Sequence, residues 1–185
     1  MADIDSLLDI MEKLRDPETG CPWDKTQTPE SISQYTLEEA YEVYDAVEKN
    51  DAEQLKEELG DLLLHIVFYA QMAKEKGLFD FQDVVDGIKA KMIRRHPHIF
   101  GNESVQPDWE KMKAAERHEH HQDGVLSGIA DALPQTIRAY KLQSRAARVG
   151  FDWAAPLLIV DKIYEEVNEL KAEIVQPTHD KERLD

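Results

Sequence analysis

From Leu62 to Ala73 the chain reads Leu-Leu-Leu-His-Ile-Val-Phe-Tyr-Ala-Gln-Met-Ala, apolar on nearly every side of a helix. The surrounding pattern predicts one long helix over about 52–76, closed by Gly77. A helix that is apolar nearly all round must be covered on more than one side. This segment therefore demands several packed helices, and its belt is too extensive for one layer of neighbours. A homodimer burying the rest is expected. Glu58, Asp61, His65, Phe68 and Met72 fall on a single face of it, which sets two carboxylates at the mouth of a buried surface. The run is also interrupted by His65 and far too short to span a bilayer.

Helical signals dominate elsewhere and strand signals are nearly absent, so the fold class is all-α, a helical bundle. Residues 3–15 form a first helix with Ile4, Leu7, Leu8, Met11 and Leu14 on one face. Residues 16–35 read as a loop with one short turn. Thr36 opens the second helix, with Thr36-Leu-Glu-Glu39 as its capping box, and Asn50-Asp51 ends it. Asp80 caps a helix over about 81–95 that stops at His96-Pro97. Further helices are expected over about 108–119, 134–148 and 156–175, with a polar, glycine-containing linker at 118–132. The domain reading is 1–117, linker 118–132, and 133–185.

Glu39 and Glu42 are three residues apart on one helix, and Glu38 borders the same face. Glu58 and Asp61 repeat that spacing on the next helix, and a short turn makes the two helices antiparallel neighbours. Four or five carboxylates can thus meet at one point. So close together they repel unless a cation is present. Hard oxygen donors in that number suit Mg²⁺, with Mn²⁺ a possible substitute, and not zinc. The opposing reading is a solvated acidic face: Leu37, Ala40, Tyr41, Tyr44 and Val47 form the apolar stripe of the second helix, and its glutamates lie opposite. The buried surface beside Glu58 and Asp61 weighs against that reading.

The net charge of -16 repels polyanions, so no nucleic-acid polymer is expected as a partner. One cysteine, Cys21, forms no intramolecular disulfide, and its place beside a proline suits a small apolar filler. With no apolar N-terminal signal, a cytoplasmic protein without membrane attachment is expected. His-Glu-His-His at 118–121 reads as a solvated tail, and His96 and His98 as turn or packing residues.

Glu38-Glu39-x-x-Glu42 followed by Glu58-x-x-Asp61 resembles the motif of the MazG family of all-α nucleoside triphosphate pyrophosphohydrolases. So do Gly20-Cys-Pro-Trp-Asp-Lys25, Gly60-Asp-Leu-Leu63, Arg94-Arg-His-Pro-His98 and Trp109-x-x-x-Lys113, in that order along nearly the whole chain. The resemblance implies a cut between the α- and β-phosphates of an NTP or dNTP, a house-cleaning activity on nucleotide pools. The products are nucleoside monophosphate and pyrophosphate. It implies Mg²⁺ on Glu39, Glu42, Glu58 and Asp61, with a metal-associated water attacking the α-phosphorus. Glu38 orients water or a ligand. A nucleotide-sensing helical module without turnover, or another metal-dependent phosphohydrolase, are the alternatives.

A triphosphate also needs positive charge. Lys91 and Arg95 are four apart on one helix, as are Trp109 and Lys113. One reading sets Lys91, Arg95 and Lys113 on phosphate oxygens with Trp109 near the nucleotide; the other is a basic helix end favouring its own dipole. Trp23 and Lys25 lie in the loop before the acidic helix and close over a base, unless Trp23 instead plugs the core.

Glu38, Glu39 and Glu42 recur as Glu165, Glu166 and Glu169 at one constant interval, which suggests a duplicated unit. Gly150-Phe-Asp-Trp153 resembles the segment that joins the family's two tandem domains. The interval from Glu42 to Glu58, applied to Glu169, lands on Asp185, the last residue. Glu182-x-x-Asp185 follows a break at Gln176-Pro177-Thr178 with no apolar run behind it. The second repeat is therefore expected to be truncated and catalytically silent.

Overall fold

The computed structural model describes residues 4–101, 112–113, 116 and 124–175. Trp109, the histidines at 118–121, Glu182 and Asp185 lie outside the described residues, as does most of the helix expected over 108–119, of which Met112, Lys113 and Glu116 are helical. Among the described residues all regular structure is helical, in line with the all-α expectation. No described helix is long and apolar enough to cross a membrane. The chain divides into two compact units, residues 1–107 and 108–185.

In the first unit, helix α1 (Ile4–Leu14) is amphipathic and buries Met11. The chain then doubles back: the Gly20 amide donates to Asp16 O and the Cys21 amide to Leu14 O. A Cβ on residue 20 would stand 2.5 Å from two carbonyl oxygens, so only glycine fits. One 3-10 turn follows at Asp24–Thr26.

The second helix starts earlier than the sequence reading had it. Helix α2 runs Pro29–Lys49 and is capped by Thr28, not Thr36. The Thr28 hydroxyl accepts from the Ser31 amide and the Ser31 hydroxyl accepts from the Thr28 amide. Proline at the first helical position needs no amide donor and is already at helical φ, which makes Thr28-Pro29 the stronger start signal. Thr36 stands two turns inside, with its hydroxyl on Ile32 O. Asn50, in the left-handed region at φ 54, closes α2. Asp51 at once caps α3 (Ala52–Glu75) by accepting from the Glu53 and Gln54 amides. So tight a turn makes α2 and α3 an antiparallel hairpin. Gly77, at φ 64, follows α3. Asp80 forms a capping box with Asp83 to open α4 (Phe81–Arg95), and Pro97–Phe100 adds one helical turn, α5.

The core comprises Met11, Ile32, Val67, Phe68 and Met72, with Leu7, Leu8, Leu64, Tyr69 and Phe81 around it. Its orientation separates the two faces of α2. The face of α2 that turns inward carries Ile32, Thr36, Glu39, Val43 and Ala46. The stripe of Leu37, Tyr41, Tyr44 and Val47 is about half exposed, as are Leu59, Leu63 and Ile66 on α3. That outer face mixes these apolar residues with Glu38, Glu42, Asp45 and Glu48, so the most apolar stripe of α2 is not the side turned to this core. Arg15 ties the loop down. Its guanidinium makes two 2.7 Å bonds to Glu75, donates to Asp24 O and Gln27 O, and sits 5.3 Å over the Phe68 ring.

In the second unit, α6 (Gln135–Ala147) and α7 (Pro156–Ile174) flank a turn with Gly150 at φ 85. Leu157, Ile163, Val167 and Leu170 of α7 are exposed.

Candidate functional site

The hairpin aligns the inward face of α2 with the first turns of α3. One carboxylate oxygen each from Glu39, Glu58 and Asp61 lie within 4.8 Å of one another. Glu39 and Glu58 are half-buried and Asp61 is exposed, so the group opens outward on the Asp61 side. Glu39 Oε2 is buried and has no hydrogen-bond partner. Such an atom is costly to leave unmatched. Burial first, and then the charges of Asp61, Glu42 and Glu58 and a hydrogen bond with Glu42, push the Glu39 carboxyl above the usual carboxylate range. Gln54 Nε2, one turn before Glu58, donates to Glu58 Oε1 at 3.3 Å and orients it.

Five sequence candidates thus resolve into a graded set. Glu39, Glu58 and Asp61 converge; Glu42 is exposed but reaches Glu39; Glu38 is exposed outside the group. These donors fit a hard divalent cation: all are oxygens, one is a buried orphan, and their mutual repulsion is what a bound cation relieves.

The positive residues are more dispersed. Lys91 is exposed and Arg95 half-buried on one face of α4, which packs on α3. Lys113 is helical and half-buried in the second unit. Lys25 donates to Pro17 O and lines a cavity of about 600 Å³ with Glu12, Arg15, Gln71 and Glu75. Gln71 lies ten residues beyond Asp61, roughly 15 Å along the helix, so Lys25 is not against the carboxylates. Trp23 is 53% exposed, with its ring centroid 6.5 Å from that of Phe68. It rests on the core without filling it.

Sequence reasoning missed the groups that hold His65. Thr36 Oγ1 is 2.9 Å from His65 Nδ1 and 2.9 Å from Tyr69 Oη. Burial pushes the His65 imidazole down, with the Asp61 charge opposing. The available signal was spacing: Thr36 precedes Glu39 by one turn, and His65 follows Asp61 by one turn. In α7, Glu165 and Glu166 pair with Lys162, whose ammonium they hold well above its usual range.

A family model described as MazG nucleotide pyrophosphohydrolase domain matches residues 27–100. The Escherichia coli (strain K12) protein named nucleoside triphosphate pyrophosphohydrolase is 49% identical over 191 residues, covering 100% of this chain and 73% of its own length. The Thermotoga maritima nucleoside triphosphate pyrophosphohydrolase/pyrophosphatase MazG is 43% identical over 90% of this chain and 66% of its own length. Among solved structures, a mazG-related protein from Thermotoga maritima is 30% identical with a TM-score of 0.48, covering 62% of this chain and 98% of that one.

Proposed function

Because this chain belongs to the MazG nucleotide pyrophosphohydrolase family and is thereby a hydrolase of phosphoric anhydrides, we propose that it cuts NTPs and dNTPs between the α- and β-phosphates with Mg²⁺, or Mn²⁺ in its stead. The observation that carries this reading is the convergence of Glu39, Glu58 and Asp61 around the orphaned Glu39 Oε2. Those three carboxylates, joined by Glu42, would hold the cation. When bound, it supplies positive charge to the phosphate oxygens. Water attacks the α-phosphorus; the new P–O bond forms as the bond to the α–β bridging oxygen breaks, and pyrophosphate leaves.

Glu38, next to Glu39 and exposed, orients that water. Lys91 and Arg95 pair with phosphate oxygens, and Trp23 offers its open ring to the base. Lys113, Trp109 and Lys25 stay in this reading on the family resemblance alone. The exposed stripe of Leu37, Tyr41, Tyr44 and Val47, with Leu59, Leu63 and Ile66, is the face a second copy covers. The chain works in the cytoplasm on nucleotide pools, with 1–117 the catalytic domain of this reading and its carboxylate cluster within the first unit, residues 1–107. The test is product chromatography with and without EDTA. Monophosphate plus pyrophosphate supports the reading, whereas free phosphate, or full turnover in EDTA, overturns it.

A further inference from the structure

A threonine hydroxyl has one proton and two lone pairs. Thr36 Oγ1 has three neighbours: Ile32 O at 3.2 Å, His65 Nδ1 at 2.9 Å and Tyr69 Oη at 2.9 Å. The Ile32 carbonyl can only accept, so in that contact the Thr36 hydroxyl gives its one proton. The other two neighbours must then donate, Tyr69 through its O–H and His65 through Nδ1–H. A neutral imidazole protonated at Nδ1 carries a lone pair at Nε2. Nε2 has no hydrogen-bond partner among the described residues and is not one of the enclosed unpaired atoms. The bracket therefore presents an acceptor that nothing in the fold uses.

Its position says what it meets. Asp61, His65 and Phe68 follow one another along one face of α3. His65 is about 6 Å, and Phe68 about 10 Å, along the axis from Asp61. Trp23 covers Phe68 and exposes its own ring. With phosphates at the carboxylates and a base at Trp23, the sugar that joins them falls beside His65. We infer that His65 Nε2 accepts a hydrogen bond from a sugar hydroxyl of the bound nucleotide, and that Thr36 is the positioning residue that fixes the tautomer. The inference rests on the nucleotide reading above.

The test uses the full chain and one base presented as ribo-, 2′-deoxy-, 3′-deoxy- and 2′,3′-dideoxynucleoside triphosphate. Removing the accepted hydroxyl should lower kcat/KM about tenfold, the worth of one such hydrogen bond, chiefly through KM. The ratio between hydroxyl-bearing and dideoxy substrates should fall towards one in His65→Phe and Thr36→Val and persist in Thr36→Ser. A ratio near one in the unaltered chain, or one that survives Thr36→Val, overturns the inference. Two-bond ¹H–¹⁵N correlations provide a readout independent of turnover. They should show the Nδ1–H form of His65, giving way to Nε2–H in Thr36→Val; Nε2–H in the unaltered chain overturns the bracket. Failure of the unaltered chain to release pyrophosphate from any nucleotide is a separate result, which removes the proposed function and this inference with it.

Discussion

Glu39→Gln should make the metal-free protein more stable while abolishing its response to Mg²⁺. Glu39 shares a 4.8 Å sphere with Glu58 and Asp61, so its charge faces two like charges. At that separation each pair repels by about 0.9 kcal/mol in a water-like medium and more in a drier one. Asp61 is exposed, so the water-like figure applies with some screening, and the two pairs together cost on the order of 1 kcal/mol. Glutamine keeps the shape and removes the charge. For a chain of this length, about 1 kcal/mol corresponds to a Tm rise of about 2–4 °C in EDTA. The sign also sets the pH dependence. The folded-state pKa of Glu39 is raised, so its ionisation opposes folding. Stability of the unaltered chain falls as pH rises from the ordinary glutamate value through the folded one, and Glu39→Gln lacks that fall. Adding Mg²⁺ should raise the Tm of the unaltered chain strongly and that of Glu39→Gln little. Differential scanning fluorimetry in EDTA and in Mg²⁺ measures both. A lower Tm for Glu39→Gln in EDTA, or equal Mg²⁺ shifts in the two proteins, would refute the reasoning.

Asp61→Asn should retain the fold by circular dichroism and lose at least about a hundredfold in kcat, the effect of removing one charge-stabilising group at a reacting phosphate. Arg15→Ala should cost about 2 kcal/mol in urea denaturation, less than a fully buried pair because the Glu75 side chain is 34% exposed. Glu75 is held below its usual range mainly by Arg15, so this stabilisation is present above the ordinary glutamate pKa and fades as the pH falls below it. The Arg15→Ala penalty should therefore shrink at low pH. Light scattering at micromolar concentration should give twice the 21.3 kDa chain mass, and Tyr44→Glu with Leu63→Glu should return it to the monomer; a monomeric unaltered chain counts against the homodimer. Glu166→Gln with Glu169→Gln should leave turnover near normal, because Glu166 is engaged by Lys162; a loss comparable to that of Glu39→Gln would move the active site to the second unit.

The helical order was legible because its boundaries are written in local chemistry. Asp51 and Asp80 cap the helices predicted to follow them, and Gly77 takes the positive φ that only a residue of its kind adopts cheaply. The i, i+3 spacing likewise brought Glu39, Glu58 and Asp61 together. Less legible was which face of α2 turns inward. Periodicity finds a stripe but not its partner, and the stripe of Leu37, Tyr41, Tyr44 and Val47 is half exposed in the single chain. The same limit hid the Thr36 bracket. A threonine three residues before a glutamate satisfies the capping-box pattern, and only the packing of α2 on α3 shows its hydroxyl committed to Ile32 O, His65 and Tyr69 instead. Lys25 fared similarly: adjacency in the loop did not predict that Arg15 would draw the loop towards Glu75, where Lys25 lines the cavity.

The central claim is hydrolysis at the α-phosphorus by a carboxylate-held cation, and turnover in H₂¹⁸O tests it most directly. With Mg²⁺ present, mass spectrometry of the products should find one ¹⁸O in the nucleoside monophosphate and none in the pyrophosphate. Label in the pyrophosphate, label in free phosphate, or unchanged turnover after Mg²⁺ is chelated would contradict it.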